Sequence, residues 1–492
     1  LITATAGTDN VRIGDGALAS IASGGNENVA VGKNALNAQT TADNNTAVGT
    51  EALAANTTAS SNTAFGWNAL KLNVTGNNNV AVGAAALDAI TAGDKNIAIG
   101  VSALGTQNTS SGADTHNVAV GHASGARITS GTVNTLLGSL SGTDIVDGSN
   151  NVALGYNAGA SITSGDQNTV VGSLSGDAIT SGEYNTGLGY KSLSLDTQGN
   201  RSVAVGYEAL ANQNFTSSTD SYNTAVGFHS GKEVTTGTNN TLIGGLAGDA
   251  ITTGGSNTAV GAYAMTSLTD GDHNVAVGTS ALDVNTSGSH NVAVGRDALG
   301  GETAQNNSVA IGYQALKVQN NSAGGNIYNN ALGYHAGVAI TTGGYNTLMG
   351  GFAGDAITNG GSNVCLGYGA DTFGGGTDNA IVLGVNITAG SNDFSFGKAS
   401  NVVTNDFDTD ANWSRSSDQR LKKNITDQKL GLDFINDLRT VKYNWKASHE
   451  LDSTDSQLSH LYKEDEADNE MNTEATMHNF IAQEVKAALD TA

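Results

Sequence analysis

Three histidines, His122, His229 and His335, follow a repeated glycine directly or by one place. Imidazole is a ready metal ligand, and three chains could bring such a residue to a shared axis. One histidine per chain is more often packing, so neither a metal nor a cofactor is expected. Asp177, Asp249 and Asp355 sit in identical G-D-A-I-T segments. The dense Gly-Gly-x-Gly-x-Asp spacing of calcium-binding solenoids is missing, and turn capping is the reading. A third group follows the same glycines: Trp67, Tyr156, Tyr190, Tyr207, Phe228, Tyr313, Tyr334 and Tyr368. Aromatic rings there could stack on sugars, although covering the groove between coils is the expectation. No sequence-local hydrolase motif occurs among these residues.

A repeat must position them. Residues 240–261, NTLIGGLAGDAITTGGSNTAVG, are nearly restated from Asn134 and again from Asn346, each 106 residues away. Pentads of the form N-(T/V)-A-V-G place glycines at 14, 32, 49, 66, 83 and 100, and onward to 384, with a degenerate member at Gly397. The step is almost always 17 residues; from Gly100 to Gly121, Gly206 to Gly227 and Gly312 to Gly333 it is 21. Five short steps and one long one make the 106-residue super-repeat. Each unit holds one strand-like run and one short apolar pair between turn residues, too little to fold alone, so units must stack with strands in parallel. The expected fold is an all-β parallel β-roll or β-solenoid of 17-residue coils over residues 1–400.

Three columns support it. The glycine implies positive φ or a spot too crowded for Cβ. Asparagine opens 19 of 23 pentads, with Ser202, Ser308, Ala380 and Asp393 as exceptions, and stacked Asn can form a hydrogen-bonded ladder. Within the strand, bulky residues flank a central Ala, so one face is large and the other small. At 4.8 Å per coil the stack would be about 110 Å long. The four extra residues of the long coils, which begin A-L-x-x-Q-N at Gln107, Gln213 and Gln319, should project as loops.

Composition sets the exclusions. There are 66 Gly, no Pro and only 13% charged residues, which separates the chain from charge-rich, Pro-rich disorder. A net charge of −24 argues against nucleic acid as partner. Cys365 is alone, so no internal disulfide framework exists. No run is long and apolar enough to enter a membrane as a helix. So thin a column has a poor core, and burial of a second apolar face in a homotrimer is expected. The start at Leu1 and the end at Ala492 suggest a piece of a longer polypeptide.

The N-(S/T)-(V/A)-A-(I/V)-G pentads resemble the head repeats of trimeric autotransporter adhesins, which fold as trimeric left-handed parallel β-rolls. Similar pentads occur in bacteriophage tail fibres. After residue 400 the composition changes: 10 of the 21 Lys and Arg lie in the last 92 residues. Leu432, Ile435 and Leu438 share a helical face, Val441, Tyr443 and Trp445 alternate as a strand, and Phe480 and Ile481 lead into a second amphipathic helix. The ordered segments SDQRLKKNI at 417–425, Y-x-W from Tyr443 and FIAQEV from Phe480 resemble the C-terminal intramolecular chaperone of phage tailspikes, tail fibres and endosialidases. Residues 401–416 would be a linker and 417–492 a small, truncated α+β chaperone domain.

That resemblance implies trimerisation, then self-cleavage between Ser416 and Ser417, with Ser417 as nucleophile and Lys422 as its base; Lys423 is the alternative base. A serine hydroxyl needs such a neighbour, and burial can lower a lysine's pKa enough to serve. An ordinary solvated turn of Arg420, Lys422 and Lys423 is the competing reading, and the acidic insert from Glu450 to Glu474 departs from the family pattern. The expected protein is a phage tail fibre of the virion tail, contacting other tail proteins and a bacterial surface glycan or protein receptor. A bacterial trimeric surface adhesin and a polysaccharide-degrading tailspike are the alternatives.

Overall fold

The computed structural model describes residues 6–108, 113–321 and 324–408, and within the C-terminal part residues 438, 440–451, 453–454, 462, 464, 477–480 and 484–486. The chain divides into two units, Leu1–Ala411 and Asn412–Ala492. The first is a parallel β-solenoid whose short strands form one 24-stranded sheet. Neighbouring strands pair residue for residue across the repeat, as Val29↔Thr46, Ala30↔Ala47 and Val31↔Val48 do.

The coil from Asn45 shows why the sequence takes this path. Thr46–Val48 is extended, Gly49 follows at φ 137°, and Glu51, Leu53 and Ser61 are left-handed at φ 58°, 50° and 61°. A left-handed L-residue costs roughly 1–2 kcal/mol. Hydrogen bonds to both neighbouring coils offset that cost: the Glu51 amide donates to Lys33 (2.9 Å) and the Leu53 amide to Ala69 (3.0 Å). At the column glycines, any Cβ would run into the carbonyl of the next glycine, as Gly172 would into Gly189. Conformation and crowding both require the residue there.

The asparagines are buried, and each ties three things together. The Asn45 carboxamide oxygen accepts from the backbone amide of Asn62 (2.9 Å), and its Nδ2 donates to the Ala59 carbonyl closing its own coil (2.9 Å). The pattern repeats coil after coil. Ser202 and Ser308 open the second and third long coils, and there glutamine takes over. Gln213 Nε2 donates to Ser202 Oγ (2.7 Å) while its oxygen accepts from Asn223 (2.9 Å); Gln319 does the same between Ser308 and Asn329 (2.9 and 2.8 Å). The insertion is less a free loop than expected. Thr219–Asp220 pairs in parallel with Gly199–Asn200, and Phe215 is buried.

The small face of the strand points inward: Ala30, Ala47, Ala64 and their successors are fully buried. Two coil types then fill the core. Where Leu occupies the left-handed position four residues after the column glycine, as in Leu36, Leu53 and Leu70, the residue three further on is mostly polar (Gln39, Asn56, Asn73). Where Gly occupies it, that residue is Ile or Val: Ile128 after Gly125, Ile145 after Gly142, Val234 after Gly231. Successive Gly coils share one bulky strand residue in place of Ala. A Cβ on Gly125 would lie 2.7 Å from Leu136 Cδ1, and one on Gly142 2.8 Å from Leu136 Cδ2. Val170, Leu242 and Leu348 fill the corresponding spaces. Core volume is conserved by exchange between neighbouring coils.

At the C-terminal end the parallel ladder closes. Ile381–Val385 pairs in parallel with Asp393–Lys398, which then turns back into the antiparallel strand Asn401–Asp406. Residues 401–406 therefore belong to the solenoid's cap rather than to a linker, since all six pair with the last parallel strand.

Three carboxylates lie in this core. Asp196 accepts from Gln213 Nε2 and the Gly199 amide (3.0 Å), and Glu302, 106 residues on, from Gln319 (2.8 Å) and the Gln305 amide (2.7 Å). Burial raises both above the ordinary carboxylate range. Burial also pushes Asp371 up to about 7, and the adjoining Asp355 carboxyl adds to the shift.

Two outcomes are expected. Leu136→Ala empties space shared by two coils and should cost about 2–5 kcal/mol. Because each coil touches only its neighbours, hydrogen-exchange protection should fall around residues 117–160 and persist beyond residue 250. The second concerns pH. Asp371 in the fold binds its proton more tightly than the unfolded carboxyl near 3.8, so its contribution is full below that value and lost as pH rises through about 7. Cys365, buried beside it with its thiol pushed up to about 12, reports cap opening. Labelling of Cys365, normalised to the unfolded chain, should be faster at pH 8 than at pH 5.5, and Asp371→Asn should remove most of that difference.

Candidate functional site

The bulky strand face points outward and forms the most extensive candidate surface. The fourth residue of every pentad is apolar, from Ile13, Val31, Val48 and Phe65 through Ile99, Leu137, Leu188 and Ile243 to Met349 and Phe396. Register places these side chains directly above one another. Phe65 is 56% exposed and Leu188 47%. A single exposed leucine is unremarkable, whereas an unbroken apolar column along a whole sheet marks an interaction surface.

A second column lies just after the turn glycines. Tyr190, Tyr207 and Phe228 stand in successive coils with centroids 5.3 and 5.4 Å apart and rings within 23° of parallel. One super-repeat later Tyr313 and Tyr334 repeat the arrangement at 5.4 Å. His229 lies against Phe228 at 3.9 Å and His335 against Tyr334 at 4.1 Å. These rings support one another along the column and stay about half exposed.

Charged groups flank both rows. Glu208 accepts from Lys232 Nζ (2.9 Å) and lies 3.1 Å from His229 Nε2. Its pairing with Lys232 holds the carboxyl below the usual range, with Tyr207 adding a hydrogen bond. In the third super-repeat Gln314 stands where Glu208 stood and donates to Asp297 Oδ2 (3.1 Å). Asp297 borders an open groove of about 410 Å³, lined also by Asp283, Gly300, Gly301, Lys317, Val318 and Asn320. Burial raises Asp283, and the negative charge of Asp297 contributes. Sequence reasoning missed this groove, since it depends on two glycines removing side chains beside groups from three coils. Asp177 and Asp249 are half-buried and raised by that burial, partly offset by hydrogen bonds from their own backbone. Among the described residues no group of three His, Cys, Asp or Glu could hold a metal ion, and no helix is long and apolar enough to cross a membrane.

Ser416, Ser417, Lys422 and Lys423 lie outside the described residues, as do Leu432 and Ile435. Within the C-terminal unit, Thr440–Tyr443 pairs antiparallel with Met477–Phe480. Val441 and Tyr443 are in that strand, and Trp445 lies just beyond it, its ring 5.5 Å from Tyr443 at 88°. Phe480 ends the second strand, and residues 484–486 are helical.

No curated protein matches this sequence. Residues 417–492 match the family model described as chaperone of endosialidase. The match begins at the serine that opens the SDQRLKKNI segment and runs through the strand pair to the chain's last residue. The protein is thus a long parallel β-solenoid that carries an endosialidase-type chaperone domain at its C-terminal end.

Proposed function

We propose that this protein is a homotrimeric phage tail fibre, a surface-binding shaft assembled by a chaperone that afterwards cuts itself off. The observation that carries the reading is the pairing of a solenoid bearing an unbroken outward apolar column with a chaperone match in the same chain. Three copies turned toward a common axis would bury that column, and a thin coil with an alanine-lined core gains most from such burial. The fibre would sit in the virion tail beside other tail proteins and meet a bacterial receptor. A substrate-directed enzymatic activity is not part of the proposal.

The cleavage step uses ordinary chemistry. Neutral Lys422 takes the proton from Ser417 Oγ, which attacks the carbonyl carbon of Ser416. The C–N bond breaks as the Ser417 nitrogen gains a proton, leaving an ester between Ser416 and the Ser417 oxygen. Water then hydrolyses the ester, giving a Ser416 carboxylate and a Ser417 with a free amine. Lys423 is the substitute base. A lysine that loses its charge only on burial would delay the cut until the trimer has formed.

Intact mass of the expressed chain, beside Ser417→Ala, tests the cut. The wild type should end at Ser416 and the variant should remain uncut; uncut protein in both would reduce Ser417 and Lys422 to a basic turn while leaving the solenoid reading untouched. Ile243→Asp tests assembly separately. An exposed site on a monomer tolerates that change within about 0.5 kcal/mol. In the trimer it should shift the sedimenting species toward monomer and lower Tm by several degrees.

A further inference from the structure

We infer that the aromatic rows are pyranose-binding sites, the second of them extended by the groove that Asp297 borders, which places the glycan contact of the proposed fibre on the side of its shaft. The inference rests on the reading of the shaft as a surface-binding fibre.

A pyranose has a face of C–H groups and a rim of hydroxyls, so it is recognised by a flat apolar surface edged with ionised or amide groups. Tyr207–Phe228 and Tyr313–Tyr334 supply the surface twice, in near-parallel pairs with the same 5.4 Å spacing. Glu208 and Lys232 edge the first row, and Gln314 and Asp297 the second. Glu208 is kept ionised by its lysine and can accept from two hydroxyls. Bordered by Asp297, the groove of about 410 Å³ offers Asp283, Asp297, Lys317 and Asn320 as hydrogen-bonding groups and Val318 as an apolar wall. That volume suits one or two sugar rings. The negative charge of the chain disfavours polyanions, which points to neutral or N-acetylated sugars.

The spacing adds an argument. The two rows are 106 residues apart, six coils along the column, or about 29 Å at 4.8 Å per coil. In the first super-repeat the equivalent positions are Val101 and His122, so the arrangement belongs to two blocks of three. Two weak sites on one chain, multiplied by assembly, suit a repetitive polysaccharide better than a single compact ligand.

Saturation-transfer-difference NMR on the whole protein, with the methyl glycosides of glucose, galactose and N-acetylglucosamine as probes, tests this directly. Saturation should reach the pyranose ring protons of at least one probe. Removing one row by Tyr313→Ala with Tyr334→Ala should weaken the contact there about fivefold, and removing both rows should abolish the signal. Tyr313→Phe should retain it, because stacking needs the ring and not the hydroxyl, and Tyr156→Ala should leave it unchanged. Unaltered circular dichroism of the alanine variants would exclude unfolding as the cause. Absence of transfer from all three glycosides, or transfer that survives loss of both rows, overturns the inference. Trimer mass and Ser417-dependent processing are read independently, so its failure would be distinct from failure of the fibre reading.

Discussion

The solenoid depends on hydrogen bonds that leave each coil and land on the next. A coil has almost no regular structure of its own: three strand residues, a glycine at φ near 137°, and three left-handed residues. Taken alone these conformations are unfavourable and close no internal ladder. Stacked, the strand amides and the left-handed residues' amides find carbonyls one coil away, and the buried asparagine joins the next coil's amide to its own coil's last turn. The cost is local and the gain is shared, so a single coil is unstable while many are not.

That constraint explains the fixed step. Adding one residue within the strand or its glycine turn would push that coil's side chains out of their columns and leave buried asparagines unpaired, each at a cost of about 1–3 kcal/mol; the 18-residue first step, from Gly14 to Gly32, takes its extra residue outside them and keeps Asn28 bonded to Asn10 (2.9 Å). The second and third long coils add four residues where a glutamine bridges to the displaced asparagine, whereas in the first Asn96 still accepts directly from the Asn117 amide (3.1 Å). Ser202 and Ser308 are the consequence: a short hydroxyl leaves room for Gln213 and Gln319 to reach through. The alternation of Leu and Gly coils follows the same logic in the apolar core, where Leu136, Val170, Leu242 and Leu348 occupy space that paired glycines vacate.

An inward face built from alanine has a consequence for the outside. Because the inner side of most strands has room only for small groups, the large apolar residues of each pentad are left facing outward, and they line up over the full height of the sheet. The aromatic rows are a separate matter. They occur only in particular blocks, stand beside charged groups, and contribute nothing the repeating ladder requires. Structure needed everywhere and chemistry present in places are thereby told apart.

Much of this was legible in the sequence, because a repeat states its own constraints many times over. The spacing of the pentads gave the solenoid, its parallel register and its polar ladder, and the ordered segments after Ser417 gave the C-terminal domain. What only the tertiary structure decided was direction and company. Alternation within a pentad cannot tell inside from outside when both faces are apolar, and burial of Ala47 against exposure of Phe65 settles it. Nor could spacing foresee the reversed strand Asn401–Asp406, the glutamine relay, or the meeting of Asp283, Asp297 and Lys317 at one groove. Those depend on contacts between residues from different coils, whereas a periodic sequence announces only what each coil shares with the rest.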